Sequence, residues 1–426
     1  MSYMTREDGT YGSYSTDSID SAVQRNGTQP GGHTLIVGGA GFIGSNLANT
    51  LLSQGRQVLI FDNLVREGVQ RNLRWLQQRY GNQLLVQIDD LRNQTALEQA
   101  VEDAASVFHL GAQVAVTTSL NDPTADFEVN AQGTLRLLEA LHRRAPTTPL
   151  LFTSTNKVYG NLEDLLLTEM ATRYQPAGEA ACHLGISEER NLSFHSPYGC
   201  SKGAADQYVL DYAHSFGLPT VVFRMSCIYG PRQFGTEDQG WLAHFLIRAR
   251  RGEPITIYGD GKQVRDVLYV ADLVRAMLLA EANITSLQGK AFNIGGGPTN
   301  TVSLLELLDL IEQLHGQPVE RHFADWRPGD QRWYVSDSRK FSEATGWQAT
   351  TDVSNGLFHL YEWVSTLCGI EQTAQCPTTT LSPALGNGAD QIAAQHPPAA
   401  HRHQQHGNDI DRNGNPATRK EVVHGD

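Results

Sequence analysis

The chain has 426 residues and 40% of them are hydrophobic, which is enough apolar material for one large globular unit or two. Its formal net charge of −13 argues against a protein that binds nucleic acid or anionic membranes. No apolar run is long enough to span a bilayer, and the five cysteines include no Cys-x-x-Cys pair. The composition therefore predicts a cytoplasmic protein with no metal centre.

Residues 1–30 are polar and show no apolar periodicity, which predicts a flexible extension. Strand His33–Val37 is predicted to begin the ordered part, and it leads through a glycine turn into the amphipathic helix Ser45–Gln54. Such a turn lets the backbone approach a pyrophosphate, while the helix N-terminus offers free N–H groups to it. The turn residues predicted to contact a dinucleotide are Gly38, Gly41, Phe42, Ile43 and Gly44.

A second predicted strand, Gln57–Phe61, ends at Asp62, eighteen residues after Gly44. A carboxylate at this position can accept hydrogen bonds from both ribose hydroxyls of an adenosine, and it repels a 2′-phosphate. The pattern therefore predicts NAD as the cofactor rather than NADP, although Arg66 nearby would suit a 2′-phosphate.

Strands and helices then alternate through the first half of the chain. The predicted elements are strand Leu84–Ile88, helix Gln94–Glu102, strand Ser106–Leu110, helix Asp122–His142 and strand Leu150–Thr153. This alternation predicts an α/β fold with a Rossmann-like, doubly wound parallel sheet, in which ligands bind beyond the carboxyl ends of the strands. Further predicted cofactor contacts, most of them at such ends, are Asn63, Asp90, Leu91, Leu110, Gly111, Ala112, Gln113 and Asn130.

Tyr198 and Lys202 stand four residues apart on a helix predicted over 197–215. Residues at i and i+4 share a helix face, so the phenol and the ammonium should point the same way. A free phenol titrates near ~10, and an ammonium about 4 Å away supplies roughly the 4 kcal/mol needed to bring its pKa close to neutrality. The pair predicts an acid/base centre, whereas the same spacing between Tyr258 and Lys262 encloses a glycine turn.

The second half of the chain is less regular and predicts a smaller C-terminal α/β lobe that binds the part of a substrate that does not react. Strand Ala291–Ile294 and helix Val353–Ser365 are assigned to it. The predicted division is a flexible extension over 1–30, one unit over 31–368 and a disordered tail over 369–426. Within the unit, the NAD-binding part covers mainly 31–230, and the substrate lobe covers mainly 161–196 and 231–368.

The glycine turn, Thr155 after a strand, Tyr198-x-x-x-Lys202 and the added lobe together resemble the extended short-chain dehydrogenase/reductases that modify nucleotide sugars, the NAD-dependent epimerases and dehydratases. Longer strings such as STNKVYG at 154–160, FHSPYGCSKGAADQY at 194–208 and GKQVRDVL at 261–268 resemble the CDP-sugar epimerases of that family more specifically. The resemblance covers about Thr34 to Trp363. The order of the two residues Gly111 and Ala112 differs from the order that is usual in the family.

The resemblance implies an isomerase, a nucleotide-sugar epimerase with Thr155, Tyr198 and Lys202 as catalytic residues and NAD as cofactor. Tyr198 as phenolate would take the proton of a sugar hydroxyl that Thr155 also binds, while Lys202 would lower the pKa of the phenol. The favoured substrate is a CDP-sugar inverted at C2 through a keto-sugar, and the protein is expected to be a homo-oligomer. The implied substrate contacts are Thr155, Asn156, Gln233, Arg265, Arg327 and Asp330.

The residues after Thr155 argue against one activity of the family. The 4,6-dehydratases carry Asp and Glu there to serve as acid and base, and Asn156 and Lys157 cannot take both roles. Two alternatives stay open. A UDP- or dTDP-hexose 4-epimerase would use the same residues on another carbon, and a catalytically silent NAD-binding protein would not need all three catalytic residues.

Overall fold

The structure is a computed structural model that describes residues 32–177 and 184–375. The predicted extension over 1–30 lies outside the described residues. Within these ranges the strands are β1 (His33–Val37), β2 (Val58–Asp62), β3 (Leu84–Ile88), β4 (Ala104–His109), β5 (Leu150–Thr155), β6 (Leu167–Glu169), β7 (Tyr174–Pro176), β8 (Thr220–Met225), β9 (Cys227–Tyr229), β10 (Ile255–Tyr258), β11 (Val264–Tyr269), β12 (Lys290–Ile294), β13 (Thr301–Ser303), β14 (Arg321–Ala324) and β15 (Trp333–Tyr334).

Helices of the described part connect these strands. They are α1 (Phe42–Ser53), α2 (Val69–Tyr80), α3 (Gln94–Val101), α4 (Val116–Asn121), α5 (Pro123–Phe127), α6 (Gly133–Arg144), α7 (Ser196–Phe216), α8 (Trp241–Arg251), α9 (Val270–Ala282), α10 (Ile284–Leu287), α11 (Leu304–His315), α12 (Arg339–Thr345) and α13 (Val353–Gln375). Helix α2 was not predicted. None of these helices is long and apolar enough to cross a membrane.

Seven strands form one parallel sheet in the order β12-β8-β5-β4-β1-β2-β3. Central strands of a sheet covered on both faces read as continuous apolar runs, and β1 is buried along its whole length. One hydrophobic cluster includes Ile36 and Phe223 and the other includes Leu35 and Val222, neighbours in sequence whose side chains point to opposite faces. The predicted Rossmann-like sheet is confirmed.

The smaller lobe contains the pair β10–β14 and a second small sheet built from β9, β11, β13 and β15. A third hydrophobic cluster, which includes Leu246, Leu307 and Leu360, fills the space between α8, α11 and α13. One assignment to this lobe was wrong. Strand β12 pairs with β8, with Ala291 opposite Val222, and so it is the edge strand of the central sheet.

Two other boundaries differ from those predicted. Helix α13 continues to Gln375, so 369–375 are helical rather than part of a disordered tail, and the rest of that tail lies outside the described residues. The single helix predicted over Asp122–His142 is interrupted by a turn of π-helix at Glu128–Gln132. Asp122 is the N-cap of α5, where its carboxylate accepts a hydrogen bond from the backbone N–H of Ala125.

Candidate active site

A cleft of about 410 Å³ opens at the carboxyl ends of the central strands and extends to the smaller lobe. This volume lies in the range usual for small-molecule sites. The cleft is lined by most of the predicted site residues: Gly38, Gly41, Phe42, Ile43, Gly44, Leu110, Ala112, Thr155, Asn156, Tyr198, Lys202, Gln233, Arg265, Arg327 and Asp330. The topology therefore brings residues from distant parts of the chain to one place.

The glycine turn between β1 and α1 leaves no room for side chains. Gly38 has a φ of +77°, and a Cβ on it would lie 2.6 Å from the backbone nitrogen of Gly111. A Cβ on Gly44 would lie 2.4 Å from the carbonyl oxygen of Gly38. No side chain caps the N-terminus of α1, so the turn presents bare backbone and free N–H groups to the cleft, as a pyrophosphate requires.

Asp62 stands at the end of β2 and is tied to this turn. Its carboxylate accepts hydrogen bonds from the backbone N–H groups of Ala40, at 3.0 Å, and Leu64, at 2.9 Å. Partial burial raises the pKa of Asp62, and these two bonds and Arg66 act against the rise. Two backbone donors fix the orientation of a carboxylate that retains further acceptor capacity, which fits the ribose of NAD.

Asp90 lies just after β3, the strand that pairs with β2. Asn63 donates a hydrogen bond to it at 2.8 Å, and the Arg92 guanidinium lies 2.8 Å from its other oxygen. Hydrogen bonds from Arg92 and Asn63 lower the pKa of Asp90 to about 2. Leu91 is buried, and its side chain would meet a Cβ placed on Gly111. These residues form a supporting edge beside Asp62 and do not line the cleft.

Gln113 and Asn130 hold the loop after β4 against the π-helical turn at Glu128–Gln132. The backbone N–H of Gln113 donates to Asn130 Oδ1 at 2.9 Å, and Asn130 Nδ2 donates back to the carbonyl oxygen of Gln113 at 3.0 Å. Asn130 is 1% exposed. Neither residue lines the cleft, so the structure places both predicted cofactor residues behind the site, where they shape the loop that carries Ala112.

The predicted acid/base residue Tyr198 lies on the first turn of α7 and is buried, with 8% exposure. Pro197 occupies the start of this helix, where its missing N–H costs nothing. Burial raises the pKa of Tyr198 to about 12, and a hydrogen bond with the Thr155 hydroxyl and the charge of Arg66 oppose that rise. The phenol therefore meets Thr155 as predicted, but it is a weaker acid than a free tyrosine.

Lys202 lies one turn further along α7, with its ammonium 2.7 Å from the carbonyl oxygen of Thr153 and 4.1 Å from the ring centre of Phe152. Burial lowers the pKa of Lys202 to about 7. Desolvation dominates the pKa of Tyr198, and the cation that opposes it is Arg66; the predicted lowering of that pKa by Lys202 is not among these contributions.

The end of β5 connects the catalytic residues to the smaller lobe. The amide of Asn156 donates to Gln331 Oε1 at 3.3 Å, and Gln331 donates back to the carbonyl oxygen of Gly160 at 2.5 Å. The ammonium of Lys157 donates to the carbonyl oxygen of Gly329 at 3.0 Å. Burial lowers the pKa of Lys157 to about 8. These contacts attach the loop 327–331 beside Thr155.

Arg265 on β11 is 7% exposed and lies 2.5 Å from the carboxylate of Asp330. Arg327 lies 3.8 Å from the ring centre of Tyr258 and donates to the carbonyl oxygen of Glu237 at 2.9 Å. Gln233 donates through Nε2 to the carbonyl oxygen of Ile228, while its Oε1 is buried without a partner. The predicted substrate residues thus present two guanidinium groups and one unsatisfied acceptor at the lobe side of the cleft.

Sequence reasoning did not find several residues that line the cleft or hold it together. Gln239 bonds Arg66, which the sequence suggested only as a group that would suit a 2′-phosphate, and Gln263 presents a second buried oxygen without a partner. Lys157 was considered only as evidence against a dehydratase. Gln331 lies in the string DQR at 330–332, directly after the predicted substrate residue Asp330, but no role was predicted for it. Gln263 lies in the string GKQVRDVL at 261–268, two residues before Arg265, and that string is the signal that could have pointed to it.

Residues 34–295 match the sequence profile of the NAD dependent epimerase/dehydratase family. The chain belongs to that family. Among its relatives is CDP-paratose 2-epimerase of Salmonella typhi, which is 45% identical over 340 residues, covering 78% of this chain and 99% of that protein. This identity extends through both the cofactor half and the smaller lobe.

Two solved structures of the family are also similar. The UDP-glucose 4-epimerase of Thermus thermophilus in complex with NAD has a TM-score of 0.66 and 31% identity, and it covers 78% of this chain and 98% of that one. The UDP-glucuronic acid 4-epimerase of Bacillus cereus in complex with UDP-glucuronic acid and NAD has a TM-score of 0.68 and 28% identity, with 79% and 99% coverage. The sequence predicted this family, an epimerase activity and NAD as the cofactor, and these predictions are confirmed.

Proposed function

We propose that this chain is a nucleotide-sugar epimerase that inverts C2 of CDP-paratose to give CDP-tyvelose. The proposal is carried by one observation: Thr155, Tyr198 and Lys202 meet in a cleft of a chain that is 45% identical to CDP-paratose 2-epimerase over 99% of that protein. The smaller lobe, mainly 161–196 and 231–368, is proposed to bind the CDP moiety, and the part over 31–230 is proposed to bind NAD.

The residues that would hold NAD fit its chemistry. The bare backbone of Gly38, Gly41 and Gly44 suits its pyrophosphate, and the Asp62 carboxylate suits the hydroxyls of its adenosine ribose. Bound NAD would supply reversible hydride transfer at its nicotinamide ring. Leu110 and Ala112 would line the cofactor side of the cleft, while Asn63, Asp90, Leu91, Gly111, Gln113 and Asn130 would support it from behind.

Tyr198 and Thr155 would manage the proton of the reacting hydroxyl. The Thr155 hydroxyl bonds the phenol, so both groups can reach one substrate oxygen, and Tyr198 would take the proton from that oxygen and later return it. Lys202 lies one helix turn from Tyr198, and its ammonium would hold the nicotinamide ribose of bound NAD. Burial excludes water from this step, since Tyr198 and Lys202 are 8% and 3% exposed.

A pH dependence follows from these two groups. Turnover needs Tyr198 as phenolate and Lys202 as ammonium at the same time. Burial puts the pKa of Tyr198 at about 12 and that of Lys202 at about 7. Below about pH 7, kcat/KM should therefore rise tenfold per unit, because only the phenolate fraction changes. Above that point it should level off, because the loss of ammonium offsets the gain of phenolate.

On the substrate side, Arg265 and Arg327 would bind the diphosphate, and Asp330 would bind the ribose of the nucleoside. The support is their common position on the lobe side of the cleft, where Arg265 is buried and paired with Asp330. Asn156 and the unpartnered Oε1 of Gln233 would contact sugar hydroxyls.

A UDP- or dTDP-hexose 4-epimerase is the second candidate. It is favoured by the structural similarity to 4-epimerases that act on UDP-sugars. Incubating the pure protein with CDP-, UDP- and dTDP-sugars and following sugar configuration by NMR separates the two. Inversion at C2 of a CDP-sugar supports the first proposal, and inversion at C4 of a UDP- or dTDP-sugar supports the second.

We also propose that the enzyme is a cytoplasmic homo-oligomer. Exposed apolar side chains lie on neighbouring helices, Leu120 on α4, Phe127 on α5 and Tyr208 on α7, and such a patch is typical of an interface. The three cysteines among the described residues are free, which suits a reducing compartment. Light scattering at several concentrations tests the oligomer, and a monomer throughout would contradict it.

A further inference from the structure

A buried carboxylate that the proposed mechanism does not use lies behind the catalytic pair. Asp126 on α5 is 1% exposed. Its Oδ1 accepts hydrogen bonds from Gln113 Nε2 at 3.0 Å and from Asn130 Nδ2 at 3.1 Å, and its Oδ2 accepts one from the Ser201 hydroxyl at 2.5 Å. Burying a carboxylate is costly even when it is hydrogen bonded, so its presence at this point calls for a role.

Ser201 connects Asp126 to the helix turn that carries the catalytic groups. It directly precedes Lys202, and its hydroxyl oxygen lies 3.2 Å from the carbonyl oxygen of Tyr198 and accepts a hydrogen bond from Asn130 at 3.1 Å. The backbone N–H of Tyr198 is held in turn by the Ser119 hydroxyl at 3.2 Å. The start of α7 is thus fixed from α4, α5 and the π-helical turn.

The charge of Asp126 also acts on both catalytic groups. The charged groups that act on Lys202 are Asp206 from its own helix and Asp126 from α5, while the imidazole of His109 on β4, whose pKa burial lowers to about 3, is neutral. Asp206 is already engaged by Arg224 through two bonds of 2.9 Å. The three donors that bind Asp126 are all neutral, so its negative charge remains available to Lys202.

The groups that act on Tyr198 are Thr155 from β5, Arg66 from the loop after β2, and Asp126. Of these, Asp126 is the one that disfavours the phenolate. Its carboxylate therefore has opposite effects on the two catalytic groups: it favours the ammonium form of Lys202 and the neutral form of Tyr198.

We propose that Asp126 is a positioning residue for the catalytic pair: its hydrogen bond with Ser201 fixes the turn between Tyr198 and Lys202, and its negative charge favours the ammonium form of Lys202 in a desolvated site. The two parts can be separated by mutation. Asp126→Asn removes the charge and keeps the shape, whereas Ser201→Ala removes the link and keeps the charge. The expected effect on turnover rests on the proposed function, whereas the expected effect of Asp126 on the charge of Lys202 does not.

Lysine titration by NMR tests the charge without any turnover. The chain has six lysines, so protein labelled with carbon-13 at lysine Cε gives a spectrum of few signals, and Lys202→Arg identifies the signal of Lys202. In Asp126→Asn the pKa of Lys202 should fall by about one unit. Asp211→Asn removes an exposed carboxylate from the same helix and should leave that pKa unchanged. Should Asp126→Asn fail to fold, the smaller neutral variant Asp126→Ser replaces it.

Turnover of the folded variants tests the link. Ser201→Ala should lower kcat by about tenfold with KM and the titration of Lys202 unchanged, because the catalytic groups lose their alignment and not their charge. A change in the pKa of Lys202 of less than about 0.3 unit in Asp126→Asn overturns the charge role. A kcat within about twofold of the parent in Ser201→Ala overturns the positioning role. Because the NMR titration needs no substrate, a wrong choice of substrate cannot produce the first of these results.

Discussion

Removing one oxygen atom from Tyr198 tests the assignment of the acid/base group. In Tyr198→Phe the ring stays in place, 8% exposed, and only the hydroxyl that bonds Thr155 is lost. Neither a cavity nor a buried charge is created. A positioned group that transfers a proton contributes about 10²–10⁴-fold to the rate, so kcat should fall at least a hundredfold.

The cost to stability should be small. A typical buried hydrogen bond contributes about 1 kcal/mol, which corresponds to a few degrees or less in melting temperature for a chain of this size. The structure offers a matched control in Tyr212→Phe on the same helix, whose hydroxyl donates to Glu139 at 2.5 Å outside the cleft. The control should lose a similar amount of stability while keeping its turnover.

Both variants are assayed with CDP-paratose by NMR after thermal unfolding has established that they fold. The bound nucleotide is released by denaturation and identified by mass, which separates loss of cofactor from loss of chemistry. If Tyr198→Phe retains more than about a tenth of the parent turnover, another group must be the base and the reasoning fails.

Three further changes test other parts of the site and the fold. In Asp62→Asn the carboxylate that disfavours a 2′-phosphate is lost, so the released nucleotide should include NADP, and NAD alone would contradict the assignment. Arg265→Met should raise KM for the nucleotide sugar by about tenfold or more with little change in kcat, and an unchanged KM would remove Arg265 from the substrate site. Asp206→Asn leaves the buried Arg224 without its carboxylate partner, so urea unfolding should show a loss of about 3–5 kcal/mol, and a loss below about 1 kcal/mol would mean that the pair contributes little.

The central sheet could be predicted because its strands are short apolar runs with turn residues at their ends, and they alternate with helical segments through the first half of the chain. The glycine turn and the Tyr198–Lys202 spacing were found because their residues are close in sequence. Strand β12 was assigned to the wrong lobe because an edge strand of a parallel sheet has the same composition as a strand in any buried sheet.

Local sequence patterns could not predict the interactions between distant parts of the chain. Asp126 and Ser201 are separated by 75 residues, and Asn156 and Gln331 by 175. The raised pKa of Tyr198 was missed for a related reason. The i, i+4 spacing predicts where an ammonium lies relative to a phenol, but the desolvation that dominates here comes from segments packed around the helix.

Deuterium at C2 of CDP-paratose tests the central claim most directly. If the epimerase oxidises and reduces the same carbon within one binding event, the inverted product keeps its deuterium at C2 and no NADH accumulates. This is the result we predict, measured by NMR of the sugar and absorbance at the NADH band in the same sample. Loss of deuterium to solvent would mean that Tyr198 acts on a C–H bond, and stoichiometric NADH with a keto-sugar would mean a dehydrogenase; either result contradicts the account.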